Sequence, residues 1–421
     1  MGGILQEKHV EMEVTKPSGF LSRVGPGLIT AATGVGAGDL IAALVAGAAF
    51  GTTFIWAIVL GAIFKYFLNE SMGRWQLATG KTILEGWHSL GRWVTGYFGV
   101  YSVIFGFVYG AAIASSCALA MRAMFPILPF WAWAMIHSIL GFVLVLLGRY
   151  AFFERVMTVL VGVMFVTVVG TALITTPNLT DIFVGLVPRV PEGSLFNVLG
   201  LIGGVGGTIA MVSYGYWLKE KGWNGKSWIP FMRFDSKVGY FMTAIFSLSV
   251  LVIGAEFLYG TGIKLTGEQG LIQLSDLLGA EYGEVTRWLF LIGFWSASFT
   301  SLLGPWNGLP YLFADFVRTT SKKNKKSFVA LEKTKAYRFY LFLLTFPSMI
   351  LLFVGEPISL IILYGVLGAA FMPFLVITLF VLLNSKRIDK ENSNNWLSNT
   401  AFTLCLVLFV YLSYTQLSSM F

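Results

Sequence analysis

Eleven apolar runs, each long enough to cross a lipid bilayer, leave this chain one class of fold. A span needs roughly 20 apolar residues. Such runs lie at about 25–50, 53–74, 96–124, 129–148, 152–175, 195–218, 237–260, 286–317, 336–354, 357–384 and 396–416. None shows strand-type alternation over its length. Each is therefore read as helix, which satisfies its own backbone hydrogen bonds in lipid. Composition agrees, since 56% of the 421 residues are hydrophobic and 12% are charged. A soluble chain could not hide that much apolar surface. The expectation is an all-α integral membrane protein, one transmembrane domain over 1–421, with loops of at most about 20 residues and no soluble catalytic domain.

Lysine and arginine orient the spans. With the N-terminal segment 1–24 placed in the cytoplasm, 24 of the 29 fall in cytoplasmic segments. Four (Arg122, Arg189, Lys264, Arg287) fall outside, and Lys65 lies within a span. The net charge of +8 is thus a topology signal. The basic run Lys322–Lys326 reads as a positive-inside loop, and no nucleic-acid partner is expected. The N-terminus lacks a short apolar core followed by a cleavage site, so no cleavable signal peptide is expected. Cys117 and Cys405 both sit in apolar runs, which argues against a disulfide framework. His9, His88 and His137 are too scattered in sequence to suggest a histidine metal site. No cofactor is read. The absence of a nucleotide-binding loop argues against ATP-driven pumping. The absence of a nucleophile–base cluster argues against an enzyme.

Two of the runs are unlike the rest. The first contains "ATGVGAGDLIAAL" (32–44), with Gly34, Gly36 and Gly38 followed by Asp39. The sixth contains "NVLGLIGGVGGTIAMVSYGYWLKEK", with Gly203, Gly204, Gly206 and Gly207 at mid-span. In lipid, broken backbone is tolerated only where it lines a cavity or is buried in protein. Glycine clusters can also serve close helix packing. However, paired interruptions five spans apart point to a transporter with inverted repeats and a binding site at the midplane. The repeats are expected at 25–175 and 195–384, with the span at 396–416 outside them.

The residues resemble the Nramp (natural resistance-associated macrophage protein) family of divalent metal transporters, which have the LeuT-type fold. "VGPGLITAATGVGAGDLIAALVAGAAFG" (24–51) is similar to the family's first span, including its opening Gly-Pro-Gly. "GRWQLATG" (73–80) is similar to the segment after its second span, "FERVMTVLVGVMFV" to span five, and "GLVPRVPEGSLFNVLGLIGG" (185–204) to the entry of span six. "FMPFLVITLFVLLNSK" (371–386) is similar to span ten. The functional motifs depart. Where the family carries Asp-Pro-Gly-Asn, whose Asp and Asn bind the metal, this chain has Gly36, Ala37, Gly38 and Asp39. Where it carries Met-Pro-His, an ungapped match gives Gly207, Thr208 and Ile209, so the sulfur ligand and the histidine are both replaced. The family's span-ten glutamines fall on Gly365 and Gly368. The resemblance implies a divergent member that keeps the scaffold without the usual metal-binding motifs.

The groups left near the breaks are the Asp39 carboxylate, the Thr33 and Thr208 hydroxyls, and backbone carbonyls around Gly34–Gly36 and Gly204–Gly206. An all-oxygen set suits a hard ion such as Mg²⁺ or Mn²⁺ better than a soft metal. One carboxylate is thin for a divalent ion, so a monovalent ion or an organic solute fits about as well. Asp39, Gly36, Thr33, Gly206 and Thr208 are the expected ion-binding residues, with Asp39 the metal ligand. Lys65, halfway through span two, is the candidate coupling group, because a buried lysine can carry a proton; the alternative is a static pair with Asp39 or Glu70. Glu70–Arg74 reads as an interface pair, Glu154 as a partner of Arg155, Asp315 as solvated, and His137 as a hydrogen-bonded core residue. Ser298, Thr300, Ser301 and Asn307 of span eight either line a pathway or bond between helices. Tryptophans near span ends read as interfacial anchors. The function expected is secondary transport of a divalent cation by alternating access, with protons as a candidate second ion, by a monomer in a bacterial plasma membrane. A LeuT-fold symporter of an organic solute or monovalent ion, and a non-transporting sensor on the same scaffold, stay open.

Overall fold

The computed structural model describes residues 25–35, 37–175, 178–207, 209–261, 267–321, 331–354 and 357–418. Helix dominates, and the expected spans appear in order. The first is split into α1 (Pro26–Gly34) and α2 (Ala37–Phe50). α3 (Ile55–Thr79) is the second, and a short α4 (Ile83–Leu90) precedes the third, α5 (Arg92–Met124). α6 (Phe130–Leu147) and α7 (Tyr150–Ile174) follow, and α8 (Leu179–Val184) lies in the next connection. The sixth is split into α9 (Leu195–Gly204), a 3-10 turn (Ile209–Ser213) and α10 (Tyr214–Glu220). Then come α11 (Ile229–Leu258), the connecting α12 (Gly267–Tyr282), and α13 (Glu284–Thr320). The ninth span pairs α14 (Lys335–Thr345) with a 3-10 turn (Pro347–Phe353); α15 (Pro357–Leu383) and α16 (Trp396–Ser418) complete the chain. Among the described residues, eight helical stretches are by themselves long and apolar enough to cross a membrane. The first and sixth spans do not stand as continuous helices, because each is broken where its glycines cluster.

Burial separates a packed interior from an apolar rim. On α7, Phe152, Val159, Val166 and Leu173 are 48%, 61%, 72% and 70% exposed, a stripe at every seventh residue. Its opposite side, with Met157, Val161, Met164 and Val168, is buried. In water such a stripe would be a liability, whereas in lipid it meets its own kind. α13 lies at the centre, packed against α1, α5, α6 and α7. It runs unbroken through Pro305 and Pro310.

One end of the molecule carries a dense polar layer. Arg74 on α3 donates to Glu70 (3.0 Å) and reaches the Asn392 carbonyl (2.6 Å) and Asn394 Oδ1 (2.9 Å), tying α3 to the segment before α16. Arg233 of α11 shares Glu70 at 2.9 Å. Arg318 joins Asp315 (2.6 Å) to Glu85 of α4 (2.9 Å), and Lys221 meets Glu154 of α7 at 2.5 Å. The loops after spans two, four, six, eight and ten are thus gathered on one face, in line with the lysine and arginine count. The 1–24 segment and Lys322–Lys326 lie outside the described residues.

Three sequence readings change. Asp315 is fully buried, not solvated, and accepts from Tyr216 Oη at 2.6 Å, because α10 packs over the end of α13. Glu154 pairs with Lys221 rather than Arg155. Trp75, Trp87, Trp217 and Trp306 are core residues, although Trp93 and Trp396 are exposed as anchors would be. His137 is a bonded core residue as expected, donating from Nδ1 to the Trp133 carbonyl (2.7 Å) and accepting from Trp295 Nε1 at Nε2 (3.0 Å).

Candidate site where the two broken spans meet

α1 ends because its last turn runs into Val35, whose N–H closes back on the Ala31 and Ala32 carbonyls (3.0 and 3.2 Å). α2 resumes at Ala37. At the other end of α1 the first backbone N–H groups are exposed by the helix geometry and need acceptors. Asp235, from α11, supplies both. Its Oδ1 accepts from Gly25 N (2.8 Å) and its Oδ2 from Gly27 N (2.5 Å). Tyr214 Oη donates to the same carboxylate at 3.3 Å, and Ser236 Oγ and Asn69 extend the network. A buried carboxylate at a helix amino end is favoured by the partial positive charge there.

The second break is wider. After Gly204 the chain passes through Gly206 and Gly207, both at φ +77°, a region L side chains rarely adopt. This turns the carbonyls out of the helical ladder. Tyr240 Oη of α11 donates to the Gly206 carbonyl at 3.3 Å. Lys65 Nζ of α3, wholly buried, donates to the Gly207 carbonyl. A cation has thus come to the carbonyls that the break frees.

The breaks touch. A Cβ built on Gly34 would lie 1.9 Å from the Gly206 carbonyl carbon and 2.2 Å from Gly207 N, so only glycine allows the two backbones this approach. Next to it, Thr33 presses on α13 at Gly304, where a Cβ would meet Thr33 Oγ1 at 2.0 Å. One turn on, Ser213 presses on Gly308 in the same way, at 2.5 Å. The hydroxyls of Thr33 and Ser213 are both buried and find no hydrogen-bond partner among the described residues. Ser301 Oγ donates to the Thr33 carbonyl at 2.8 Å, and Tyr109 Oη to the Ser301 carbonyl at 2.6 Å.

Of the expected site residues, Thr33 and Gly206 lie at this junction, and Lys65 reaches it through Gly207. Asp39 is the third residue of α2. Its side chain, together with Gly36 and Thr208, lies outside the described residues. In span eight, Ser301 reaches the break. Ser298 instead bonds Ser116 (2.7 Å), Thr300 bonds the Ala297 carbonyl (2.9 Å), and Asn307 accepts from Trp217 (2.8 Å). Those three bond within or between helices. Glu70 is held by Arg74 and Arg233, so the Glu70 half of the static-pair alternative for Lys65 finds no support. Among the described residues no group of three His, Cys, Asp or Glu side chains could hold a metal ion. Sequence reasoning missed Asp235, Tyr240 and Ser213. Asp235 stands in "RFDSK", two residues before the apolar run begins, and reads there as loop.

Comparison with known proteins agrees with this fold. The family model described as "Natural resistance-associated macrophage protein-like" matches residues 27–419. The divalent metal cation transporter MntH of Staphylococcus saprophyticus is 24% identical over 290 residues. That match covers 65% of this chain and 65% of MntH, just under two thirds of the relative's length. The membrane protein YcsG of Bacillus subtilis is 22% identical over 395 residues, 93% of each chain. A solved structure of the Eremococcus coleocola manganese transporter, bound to an aromatic bis-isothiourea substituted compound, superimposes with a TM-score of 0.80 at 16% identity. It covers 99% of this chain and 91% of that one, and at this identity the likeness concerns the fold.

Proposed function

This chain belongs to the Nramp family, and on that premise we propose that it is a secondary active transporter moving a divalent metal cation across the membrane by alternating access. The observation that carries the reading is the contact of two broken spans at Gly34 and Gly206–Gly207, beside buried hydroxyls that find no partner among the described residues. Freed carbonyls at a helix break are how such folds hold cations. The relatives named MntH and the manganese transporter of like fold supply the substrate class.

The proposed ion site comprises the Asp39 carboxylate, the Thr33 and Thr208 hydroxyls, and carbonyls at Gly36 and Gly206. With no sulfur at the matched span-six positions, it should take a hard ion, Mg²⁺ or Mn²⁺, ahead of Cd²⁺. Met211, buried in the 3-10 turn that follows the second break, is the thioether nearest in sequence. Lys65 is the proposed coupling group. Its ammonium occupies the Gly207 carbonyl, and a bound cation nearby would repel it. Loss of its proton would lift that repulsion, so cation entry would expel a proton. The basic face is proposed as cytoplasmic, with the chain in a bacterial plasma membrane as a monomer, and with 25–175 and 195–384 as inverted repeats.

The test is uptake by proteoliposomes of purified protein, with Mn²⁺ and Mg²⁺ as substrates and Cd²⁺ as competitor. Mn²⁺ or Mg²⁺ flux that Asp39→Asn abolishes is the expected result. Inhibition most potent with Cd²⁺, and relieved by Met211→Leu, would replace the hard-ion reading with a thioether site. Absence of metal flux would overturn the transport reading itself.

A further inference from the structure

On the basic face, a cavity of about 540 Å³ opens between the end of α6 and the start of α7. Its lining is mostly apolar, with Val143, Leu144, Leu147 and Phe152, and two arginines, Arg149 and Arg155, complete it. We infer that this cleft binds an anionic phospholipid, with the headgroup phosphate between the two guanidinium groups and acyl chain along the apolar lining. The inference does not rest on which ion the protein moves.

Three observations support it. First, the two arginines are exposed, and neither side chain makes a hydrogen bond or ion pair with any described residue. Arg74, Arg233 and Arg318 on the same face are all bound to carboxylates. The one acid between Arg149 and Arg155 in sequence, Glu154, is engaged by Lys221 at 2.5 Å. Two guanidinium forks are therefore left to bind a phosphate, whose geometry they match. Second, the cleft is too apolar for a site that selects a free anion. Leu147 is 77% exposed and Phe152 48%. Exposed carbon beside a basic pair suits a molecule with an anionic head and a hydrocarbon body. Third, Phe152 is also the first residue of the outward stripe that continues through Val159, Val166 and Leu173. The cleft therefore sits where the lipid-facing surface of α7 reaches the headgroup layer. α7 packs on α1 and α13, so a lipid held here would brace the helix behind the first broken span.

The experiment is native mass spectrometry of the full-length protein in detergent, titrated with phosphatidylglycerol or phosphatidylcholine. Wild-type protein should retain phosphatidylglycerol in clear preference to phosphatidylcholine; no preference overturns the proposal without recourse to any variant. In Arg149→Gln/Arg155→Gln, phosphatidylglycerol binding should weaken about thirtyfold, given the contribution of each basic residue near an anionic headgroup. Lys333→Gln/Lys335→Gln removes two exposed charges from the same face and should leave binding unchanged. An equal loss in both double variants would mean general attraction to a basic surface and would sink the site. Displacement of the lipid by millimolar inorganic phosphate would identify a free-anion site and also overturn the proposal.

Discussion

The two broken spans look alike in sequence, each an apolar run with glycines at its middle, yet the molecule completes them by opposite means. The first break is narrow, and helix resumes at Ala37. The span is held at its amino end by an anion, Asp235, on the N–H groups of Gly25 and Gly27. The second break spreads through two residues at φ +77° and is held at its centre by a cation, Lys65, on a freed carbonyl. Each partner carries the charge that the helix end facing it favours. The glycines differ as well. Gly206 and Gly207 are required by backbone conformation, whereas Gly34 is required by contact, since it lies in ordinary helix against the other break. The lesson is that one break is built to be leaned upon and the other to present carbonyls. A cation entering the proposed site would meet the lysine already there.

The sharpest way to break this comparison is Gly34→Ala. Its Cβ would lie 1.9 Å from backbone on the second break, which cannot rotate aside. A loss of about 3 kcal/mol or more is expected, as for severe overpacking. Thermal unfolding in detergent should show it, and a wild-type melting temperature would mean the breaks do not touch. Asp235→Ala comes next. It leaves two buried N–H groups and the Tyr214 hydroxyl without their acceptor, at about 2–3 kcal/mol. Asp235→Asn, which keeps one acceptor oxygen, should recover part of that in the same assay. If alanine is harmless, the amino-end anchor carries no weight.

Lys65→Met should cost only about 1 kcal/mol, because the lost bond to the Gly207 carbonyl is offset by no longer burying an ammonium. Its larger effect is functional. Uptake should persist, with cation binding equal or tighter, but lose its dependence on pH. Folded Lys65→Met protein with an unchanged pH profile would show that Lys65 is not the coupling group. The smallest effect belongs to Gly365→Ala on α15. There a Cβ meets nothing within 4 Å, so stability should move by no more than about 0.5 kcal/mol, toward greater stability as for glycine replaced within a helix. A large loss at Gly365 would remove the contrast between glycines at the breaks and glycines elsewhere.

Much of this architecture is legible in the sequence, and what is not legible has a common physical cause. The spans, the two interruptions and the gathering of basic loops on one face follow from hydropathy, glycine clustering and charge counting. The departures of Gly36–Asp39 and Gly207–Ile209 from the family motifs could also be read residue by residue. What could not be read was partnership across the bundle. Asp235 does not stand out in the sequence because the apolar run starts after it, while α11 begins at Ile229. Asp315 reads as solvated because nothing near it in sequence reveals Tyr216 folding over it. Ser213 shows only as one serine in an apolar stretch, and its place over Gly308 exists only once span six is broken and laid on α13.

The sequence by itself determined that this chain lives in a membrane, where its helices run, where two of them break, and which family it belongs to. Those are sums over neighbours along the chain: transfer of roughly 20 side chains into lipid, and the weakness of helix where glycines gather. Only the tertiary structure decided that an aspartate caps the first broken span, that a lysine sits on the carbonyl of the second, and that Gly34 is the point of contact. Such pairings are set by the crossing of helices more than a hundred residues apart. A buried polar group accepts whichever partner that crossing brings within hydrogen-bond reach, and no local pattern records which one it will be.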